Sequence, residues 1–174
     1  HGISYIETLD DLTMADYRWG LELCKELRTR RRQSGFEVTW GGTCRTNIIA
    51  ADIIRAQTEG RPHLLEQAFD VGMLRVAYGV ETGSPTILKL IDKSERTPDK
   101  IKLAIAETQR VMGYASCSFM FGSPGETAKT IQETVDLCKD IPHVPEVIVF
   151  TTAYPGTSFW NLALEKGLIG KSVA

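Results

Sequence analysis

Short runs of apolar residues alternate along the chain with longer stretches in which apolar residues recur every three or four positions. The first pattern is typical of strands that are buried on both faces, and the second is typical of helices that bury one face. The short runs predict strands at residues 3–7, 36–40, 73–78, 114–121 and 144–151. Because a helical stretch follows each of them, the pattern predicts a parallel sheet covered by helices.

Capping residues, glycines and prolines mark the boundaries of the predicted helices. Thr13, with Asp16 three residues later, predicts the start of the first helix, and Gly35 predicts its end. Further helices are predicted at residues 48–57, 62–71, 84–91, 97–112, 127–141 and 157–166. These β-then-α units predict a single domain over residues 1–174, built either as part of a barrel or as a doubly wound open sheet.

Composition and charge exclude several function classes. With 174 residues, of which 43% are apolar, the chain is long enough to bury one core. A formal net charge of −2 gives no electrostatic signature of binding to nucleic acid or to an anionic membrane. No apolar stretch is long enough to span a bilayer and no signal peptide opens the chain, so we expect a cytoplasmic protein without a membrane partner.

The cysteines and histidines do not form a metal-binding or catalytic set in the sequence. The four cysteines show no CxxC or CxxxCxxC spacing, and the three histidines show neither zinc-ligand nor Ser–His–Asp spacing. No phosphate-binding loop of the GxGxxG or GxxxxGKS/T type follows a predicted strand. Metal-dependent and triad-based hydrolysis are therefore not indicated.

Polar or glycine-rich turns follow four of the predicted strands. They are Asp10-Asp11 and residues 78–84, 121–127 and 154–157. The carboxyl ends of parallel strands meet at one edge of a sheet, and this edge is where α/β folds bind ligands. The four turns therefore predict a polar binding surface along one rim of the sheet.

Charged side chains at this rim are candidate ligand-binding groups. Asp10 and Asp11 could accept hydrogen bonds from an ammonium group or a ribose, or they could only stabilise the start of a helix. Arg45, just beyond a strand, could clamp a carboxylate through two hydrogen bonds or lie on the surface. Glu81 is flanked by glycines and has few structural reasons to follow a strand, so we predict that it is functional.

Residues 122–127 form a rigid turn that ends at the start of a helix. Its backbone amides could meet a ribose or carboxylate oxygen. Gly122, Pro124 and Gly125 leave room for a flat ring against the backbone. Glu126 in the same turn could serve a ligand or only the helix start, and the residues alone leave both interpretations open.

Residues 154–157 form the last of the four turns. Thr157 can cap the following helix, so the segment is a turn in either interpretation. Tyr154 and Pro155 could in addition form a wall for an adenine ring.

Together these motifs resemble those of the radical S-adenosylmethionine (radical SAM) superfamily. The resemblance covers nearly the whole chain and is carried by residues 78–84, 119–127 and 154–157 in this order and spacing. More narrowly, the chain is similar to the group associated with cobalamin-binding domains. That group includes Fe–S oxidoreductases like the anaerobic magnesium-protoporphyrin monomethyl ester cyclase, and methyltransferases.

The resemblance implies a partial TIM-type (β/α)6 barrel, of which this chain forms the second to sixth βα units. In the family, a CxxxCxxC loop after the first strand holds a 4Fe–4S cluster, and the fourth iron binds the amino and carboxylate groups of S-adenosylmethionine. Because the chain opens abruptly at His1 and lacks that motif, we expect the first strand and the cluster loop to lie upstream.

By position, the resemblance also implies which residues bind the cofactor. They are Asp10, Asp11, Arg45, Glu81, Ser84, Gly122, Pro124, Gly125, Glu126, Tyr154 and Pro155. The two aspartates match the segment that meets the methionyl amino group, and the arginine would contact the cofactor or the substrate. Glu81 and Ser84 match the segment that meets ribose and carboxylate, and the later turns match the surroundings of the adenine. No catalytic residue or metal ligand is assigned.

The implied activity of the full-length protein is reductive cleavage of S-adenosylmethionine to a 5′-deoxyadenosyl radical, which acts on a substrate. The implied substrate is a small molecule or a tetrapyrrole-like compound, and the implied reductant is a flavodoxin or ferredoxin. Cobalamin is compatible as a further cofactor. Without the cluster, the fragment is expected to be inactive and to bind none of these cofactors tightly.

The residues alone leave two alternative functions open and also predict self-association. The chain could be a barrel-type binding module that carries no cluster. It could also be a cofactor-independent acid/base enzyme that uses Glu81 or Glu126. In either case, the unpaired strand edge at residues 3–7 predicts dimers or aggregates.

Overall fold

The chain forms a parallel sheet whose strands follow one another in space as they do in sequence. The computed structural model describes residues 2–9, 12–35, 37–93, 97–142 and 144–170. The strands are β1 (Tyr5–Glu7), β2 (Thr39–Cys44), β3 (Met73–Glu81), β4 (Ser116–Phe121) and β5 (Val144–Phe150), in the order β1-β2-β3-β4-β5. All neighbouring pairs are parallel. A doubly wound sheet reverses its strand order at a switch point, so the sequential order favours the partial barrel.

Helices connect and cover the strands. They are α1 (Tyr17–Ser34), α2 (Thr46–Glu59), α3 (Leu64–Asp70), α4 (Pro85–Leu90), α5 (Pro98–Met112), α6 (Ala128–Asp140) and α7 (Ser158–Glu165). Gly35 and Gly113 end α1 and α5 in the left-handed conformation, as their positions in the sequence predicted. Among the helices of the described ranges, none is both long and apolar enough to cross a bilayer.

The start of α1 differs from the prediction. Asp16 is the N-cap, because its carboxylate accepts hydrogen bonds from the backbone amides of Arg18 and Trp19. Thr13 is instead buried, and its hydroxyl accepts from the backbone amide of Thr43 at 3.1 Å. Thr13 therefore ties the segment before α1 to the sheet.

The second strand also differs from the prediction, since it begins later and ends later than residues 36–40. The Gly41-Gly42 pair resembles a turn in the sequence but lies within β2. A Cβ atom at Gly41 would overlap the side chains of Tyr5 and Glu7 from the neighbouring strand. Those atoms are the ends of flexible side chains, so the stronger constraint is at Gly42, where a Cβ atom would lie 2.5 Å from Oγ1 and 2.8 Å from Cβ of the buried Thr13. No local pattern reveals this contact, because it joins distant segments.

The core lies between one face of the sheet and the helices, mainly α1, α2, α3 and α5, with Leu88 of α4 and Leu137 of α6 at its border. Val76, Tyr78 and Val80 point from β3 into this core. The Tyr78 hydroxyl lies 2.7 Å from the hydroxyl of Thr108 on α5, so its polar end is satisfied in the interior. Because strand side chains alternate, the residues between them face the concave side of the sheet.

The last strand is an apolar edge. On β5, Ile148 is 62% exposed and Phe150 is 78% exposed, and the neighbouring Val147 and Val149 are also exposed. β1 is the opposite edge and is only three residues long. A long apolar edge is a template for pairing, so β5 is a stronger candidate for self-association than the predicted β1 edge.

We expect the isolated chain to self-associate in a concentration-dependent manner. Val149→Lys should reduce the self-association, because a lysine on the edge opposes strand pairing. Ile6→Lys on β1 is the matched control and should have a smaller effect. Sedimentation velocity measures both variants. A larger effect of Ile6→Lys would show that the chain self-associates through β1 and not through β5.

A charged network joins α3 and α5 at the end of the barrel that lies away from the strand carboxyl ends. The His63 ring nitrogen Nε2 lies 2.6 Å from a Glu107 oxygen, and Arg110 donates to Glu66 at 2.8 Å. Hydrogen bonds from Arg110 lower the pKa of the Glu66 and Glu107 carboxyls. The network therefore couples the packing of the two helices to pH.

Unfolding in acid should depend on Arg110. Carboxyls whose folded pKa is lowered stabilise the fold fully above their unfolded pKa, near 4.5, and that stabilisation disappears as the pH falls through the folded value. Arg110→Ala should therefore make the free energy of unfolding fall less steeply below pH 5. Urea denaturation between roughly pH 3 and pH 7 measures the slope. Arg30→Ala, which removes an exposed pair with Glu26, should leave the slope unchanged.

Candidate functional site

A cavity opens at the carboxyl ends of β2, β3 and β4. Its volume is ≈ 400 Å³, which is within the range of small-molecule sites. We call it the rim cavity. Polar or charged residues on its wall include Thr43, Arg45, Glu81, Lys93 and Ser118, and Ala77 and Gly79 of β3 lie beside them. Two of the residues predicted from the sequence, Arg45 and Glu81, therefore lie together.

Glu81 ends β3 in a conformation that L-residues rarely adopt. Its φ is 68°, and the amide of Thr82 donates back to the carbonyl of Val80 at 2.9 Å. The register with β4 also shifts between Gly79 and Glu81. Strain of this kind persists where the surrounding structure imposes it, most often at ligand sites. Here the turn brings the Glu81 carboxylate to the wall of the rim cavity.

Lys93 reaches the same carboxylate from the turn after α4. Its ammonium group lies 3.2 Å from Glu81 Oε1 and donates to the carbonyl of Gly79 at 3.0 Å. The turn is fixed because the Lys93 amide donates to the Leu88 carbonyl and Asp92 has a φ of 54°. Sequence reasoning missed Lys93, since a lysine after a short helix carries no local signal.

Arg45 is the N-cap residue of α2 and makes no side-chain capping bond. Arg45 is exposed and lines the rim cavity, and its guanidinium group has no partner among the residues that the structure describes. The cavity therefore contains two cationic groups and one carboxylate from described residues, which favours an anionic ligand group.

Ser84 and its neighbour Gly83 lie away from the rim cavity. Ser84 is fully buried, and its hydroxyl has no partner in the described part of the chain. A Cβ atom on Gly83 would lie 2.6 Å from the Glu133 carbonyl oxygen and 2.7 Å from Leu137 Cβ. The absence of a side chain at Gly83 therefore allows helix α6 to pack closely against this turn. The sequence had suggested that this glycine allows a ligand to approach. The predicted contact of Ser84 with a cofactor stays a prediction.

A second, mainly apolar cleft of ≈ 400 Å³ lies between the turn after β4 and helix α7. Gly122, Pro124 and Gly125 form one wall, and Phe159 and Leu162 of α7 form the other. We call it the α7 cleft. Its two glycines have φ values of 83° and 82°, so the turn itself requires them. The cleft has the polarity and size for a flat aromatic ring.

Glu126 braces this turn. One of its carboxylate oxygens accepts a hydrogen bond from the Gly122 amide. The other oxygen is buried and has no partner in the described ranges. Glu126 lines neither cavity, so its place in the structure gives it no access to a substrate proton and weakens the acid/base alternative for this residue.

The last predicted turn is present but lies outside both cavities. The carbonyl of Tyr154 accepts hydrogen bonds from the amide and hydroxyl of Thr157, at 3.1 and 2.7 Å. The Tyr154 ring is 66% exposed. Contact of Tyr154 and Pro155 with an adenine stays a prediction. Asp10 and Asp11 lie outside the described residues.

The cysteines do not form a ligand set within the described chain. Cys24, Cys44 and Cys117 are buried free thiols, and burial raises the pKa of the Cys24 thiol to about 11. Among the described residues, the group with metal-ligand geometry is His63, Glu66 and Glu107. Arg110 already neutralises both of these carboxylates.

Comparisons with known proteins agree with this geometry. The sequence model described as the radical SAM superfamily matches residues 15–138. A protein of Pyrococcus horikoshii, named as an uncharacterized methyltransferase, is 27% identical over 169 residues, which make up 97% of this chain and 33% of that protein. The chain thus spans about a third of the length of this relative.

Solved structures share the fold. The radical S-adenosylmethionine methyltransferase TsrM from Kitasatospora setae, with cobalamin and a 4Fe–4S cluster bound, aligns with a TM-score of 0.66 at 19% identity, over 95% of this chain and 29% of that one. The cobalamin-dependent S-adenosylmethionine radical enzyme OxsB, with aqua-cobalamin and S-adenosylmethionine bound, aligns with a TM-score of 0.64 at 14% identity. The alignment covers 95% of this chain and 22% of that one.

Coproporphyrinogen III oxidase (HemN) from Escherichia coli, which is described as a radical SAM enzyme, gives a TM-score of 0.59 at 12% identity, over 77% of this chain and 29% of that one. At such identities the likeness concerns the fold. The predicted partial TIM-type barrel is confirmed.

Proposed function

The chain belongs to the radical SAM superfamily, and from this premise we propose that it provides the S-adenosylmethionine-binding rim of a radical SAM enzyme. The observation that carries the proposal is the Glu81–Lys93 pair, held in a strained turn on the wall of the rim cavity. The reaction proposed for the whole protein is reductive cleavage of S-adenosylmethionine.

Glu81 and Lys93 act in this proposal as a ribose-binding unit. A carboxylate can accept hydrogen bonds from both hydroxyls of a ribose, and each such charge-assisted bond contributes about 1.5–3 kcal/mol. Lys93 orients the carboxylate through Oε1 and leaves Oε2 for the ligand. The remaining N–H of the ammonium group can meet the ligand carboxylate.

The α7 cleft is the proposed position of the adenine. Gly122 and Gly125 expose backbone on one side, and Phe159 and Leu162 supply apolar contacts on the other. Burial of an aromatic ring between such walls removes apolar surface from water and so stabilises binding.

The described residues fit S-adenosylmethionine but not the iron–sulfur cluster. They include no group of cysteines within ligand distance of one another, so the thiolates for a cluster would come from other residues of the protein. A cluster held by those residues would supply the electron for cleavage of the sulfonium carbon–sulfur bond.

For the substrate of the whole protein, we propose methylation as the overall reaction, with the reductive cleavage of S-adenosylmethionine as its radical-generating step. The Pyrococcus horikoshii relative and TsrM are both named as methyltransferases, and TsrM and OxsB contain cobalamin. Cobalamin as methyl carrier and a flavodoxin or ferredoxin as reductant belong to the same proposal.

The natural polypeptide that contains this chain should be reconstituted anaerobically with iron and sulfide, reduced with dithionite and assayed for 5′-deoxyadenosine by mass spectrometry. The wild-type protein should produce it. Glu81→Gln keeps the size of the side chain but removes its charge, and should lower the rate at least about tenfold. Glu165→Gln at the end of α7 is the control. Absence of 5′-deoxyadenosine from a folded, cluster-loaded protein would refute the proposal.

A further inference from the structure

The rim cavity contains a second cationic group that the ribose-binding unit does not use. The Lys93 ammonium is bonded to Glu81 and to the Gly79 carbonyl. Arg45 lines the cavity just beyond the end of β2, and its exposed guanidinium group has no such partner among the described residues. A guanidinium group at a cavity wall is suited to hold a carboxylate or phosphate through two hydrogen bonds.

The concave wall beside Arg45 is made of small side chains. Thr43, Ala77, Gly79 and Ser118 line it, and register pairs Thr43 with Ala77 and Gly79 with Ser118 across neighbouring strands. In closed (β/α) barrels, large branched side chains fill such inward positions. The small residues leave space for a ligand group, and the Ser118 hydroxyl adds a hydrogen-bond donor at its side.

We propose that Arg45 binds an oxyanion group of the second substrate, so that this substrate carries a carboxylate or a phosphate. The inference rests on the proposed function, because it assumes that S-adenosylmethionine occupies Glu81, Lys93 and the α7 cleft. Arg45, Thr43 and Ser118 then form the polar part of the cavity that remains for the substrate.

The oxyanion site can be tested without knowledge of the substrate. The reconstituted natural protein is saturated with S-adenosylmethionine and titrated calorimetrically with inorganic phosphate, and separately with acetate. At least one anion should bind, and the stronger of the two indicates whether the substrate carries phosphate or carboxylate. Arg45→Gln should raise the dissociation constant of that anion at least tenfold. It should raise the dissociation constant of S-adenosylmethionine by less than about threefold.

Arg55→Gln is the matched control, since Arg55 lies on the same helix but packs on the Tyr17 ring at 4.2 Å. It should leave anion binding unchanged. If neither anion binds to the S-adenosylmethionine complex, the inference is wrong while the proposed function stands. The same holds if Arg45→Gln lowers the affinity for S-adenosylmethionine as strongly as a Lys93→Gln variant measured beside it. If S-adenosylmethionine itself fails to bind the wild-type protein, the proposed function is wrong as well.

Discussion

Glu81→Gly should give a chain that is about 1 kcal/mol more stable than Glu81→Ala, although both variants lose S-adenosylmethionine binding. Both changes remove the same carboxylate and the same contact with Lys93. Only glycine relieves the left-handed backbone at φ 68°, which costs an L-residue roughly 1–2 kcal/mol. The strained backbone at residue 81 therefore lowers the stability of the fold, and it places a carboxylate at the rim.

Urea denaturation of the 174-residue chain measures the stability difference, and equilibrium dialysis of the reconstituted natural protein measures binding. Binding should fall by at least about 100-fold if two charge-assisted hydrogen bonds of about 1.5–3 kcal/mol each are lost. Equal stability of the two variants would show that residue 81 is not strained. Retained binding would remove Glu81 from the site.

Gly83→Ala should destabilise the chain by about 3 kcal/mol, the upper part of the range for overpacking. The new methyl group would lie within 3.0 Å of Glu133 O, Leu137 Cβ and Thr134 Cα. These atoms belong to helix α6, so the helix must move. The movement would also break the bond from the Gly83 amide to the Thr134 hydroxyl, now 3.0 Å long.

Gly79→Ala is the matched comparison on the same strand turn. Its methyl group would meet the Glu81 carboxylate at 2.7 Å, which is the mobile end of a side chain. We expect a stability change within about 1 kcal/mol but weaker cofactor binding, because the carboxylate is displaced. Thermal or urea unfolding distinguishes the two variants. A Gly83→Ala protein as stable as Gly79→Ala would contradict the tight packing of α6 on this turn.

Most of the fold could be predicted because each βα unit carries its own local signals. Continuous apolar strands and capped helices recur with the same polarity, and they specify a parallel sheet. The errors occur where tertiary packing overrides local pattern. Gly41 and Gly42 resemble a turn but lie within β2, where side chains of β1 approach Gly41 and those of Thr8 and Thr13 approach Gly42. Thr13 resembles a cap, but it bonds to β2.

The candidate site was predictable in part for a related reason. Glu81 and Arg45 stand out because charged residues directly follow apolar strands, and the structure brings both to one cavity. Lys93 was missed because its role depends on how a short helix and a left-handed Asp92 turn it back to β3. The burial of Ser84 and the bracing role of Glu126 likewise arise from contacts between distant segments.

The most direct test of this account is a thermodynamic cycle that combines a substitution at Glu81 with removal of the ribose hydroxyls of the ligand. Dissociation constants are measured for S-adenosylmethionine and for an analogue without the ribose 2′- and 3′-hydroxyls, with the reconstituted wild-type protein and its Glu81→Ala variant. The account predicts a coupling free energy of about 3–6 kcal/mol, which is about 1.5–3 kcal/mol for each of the two hydrogen bonds, because loss of both hydroxyls should weaken binding to the wild-type protein and change binding to the variant little. Equal losses in both proteins would show that Glu81 does not bind the ribose and would contradict the account.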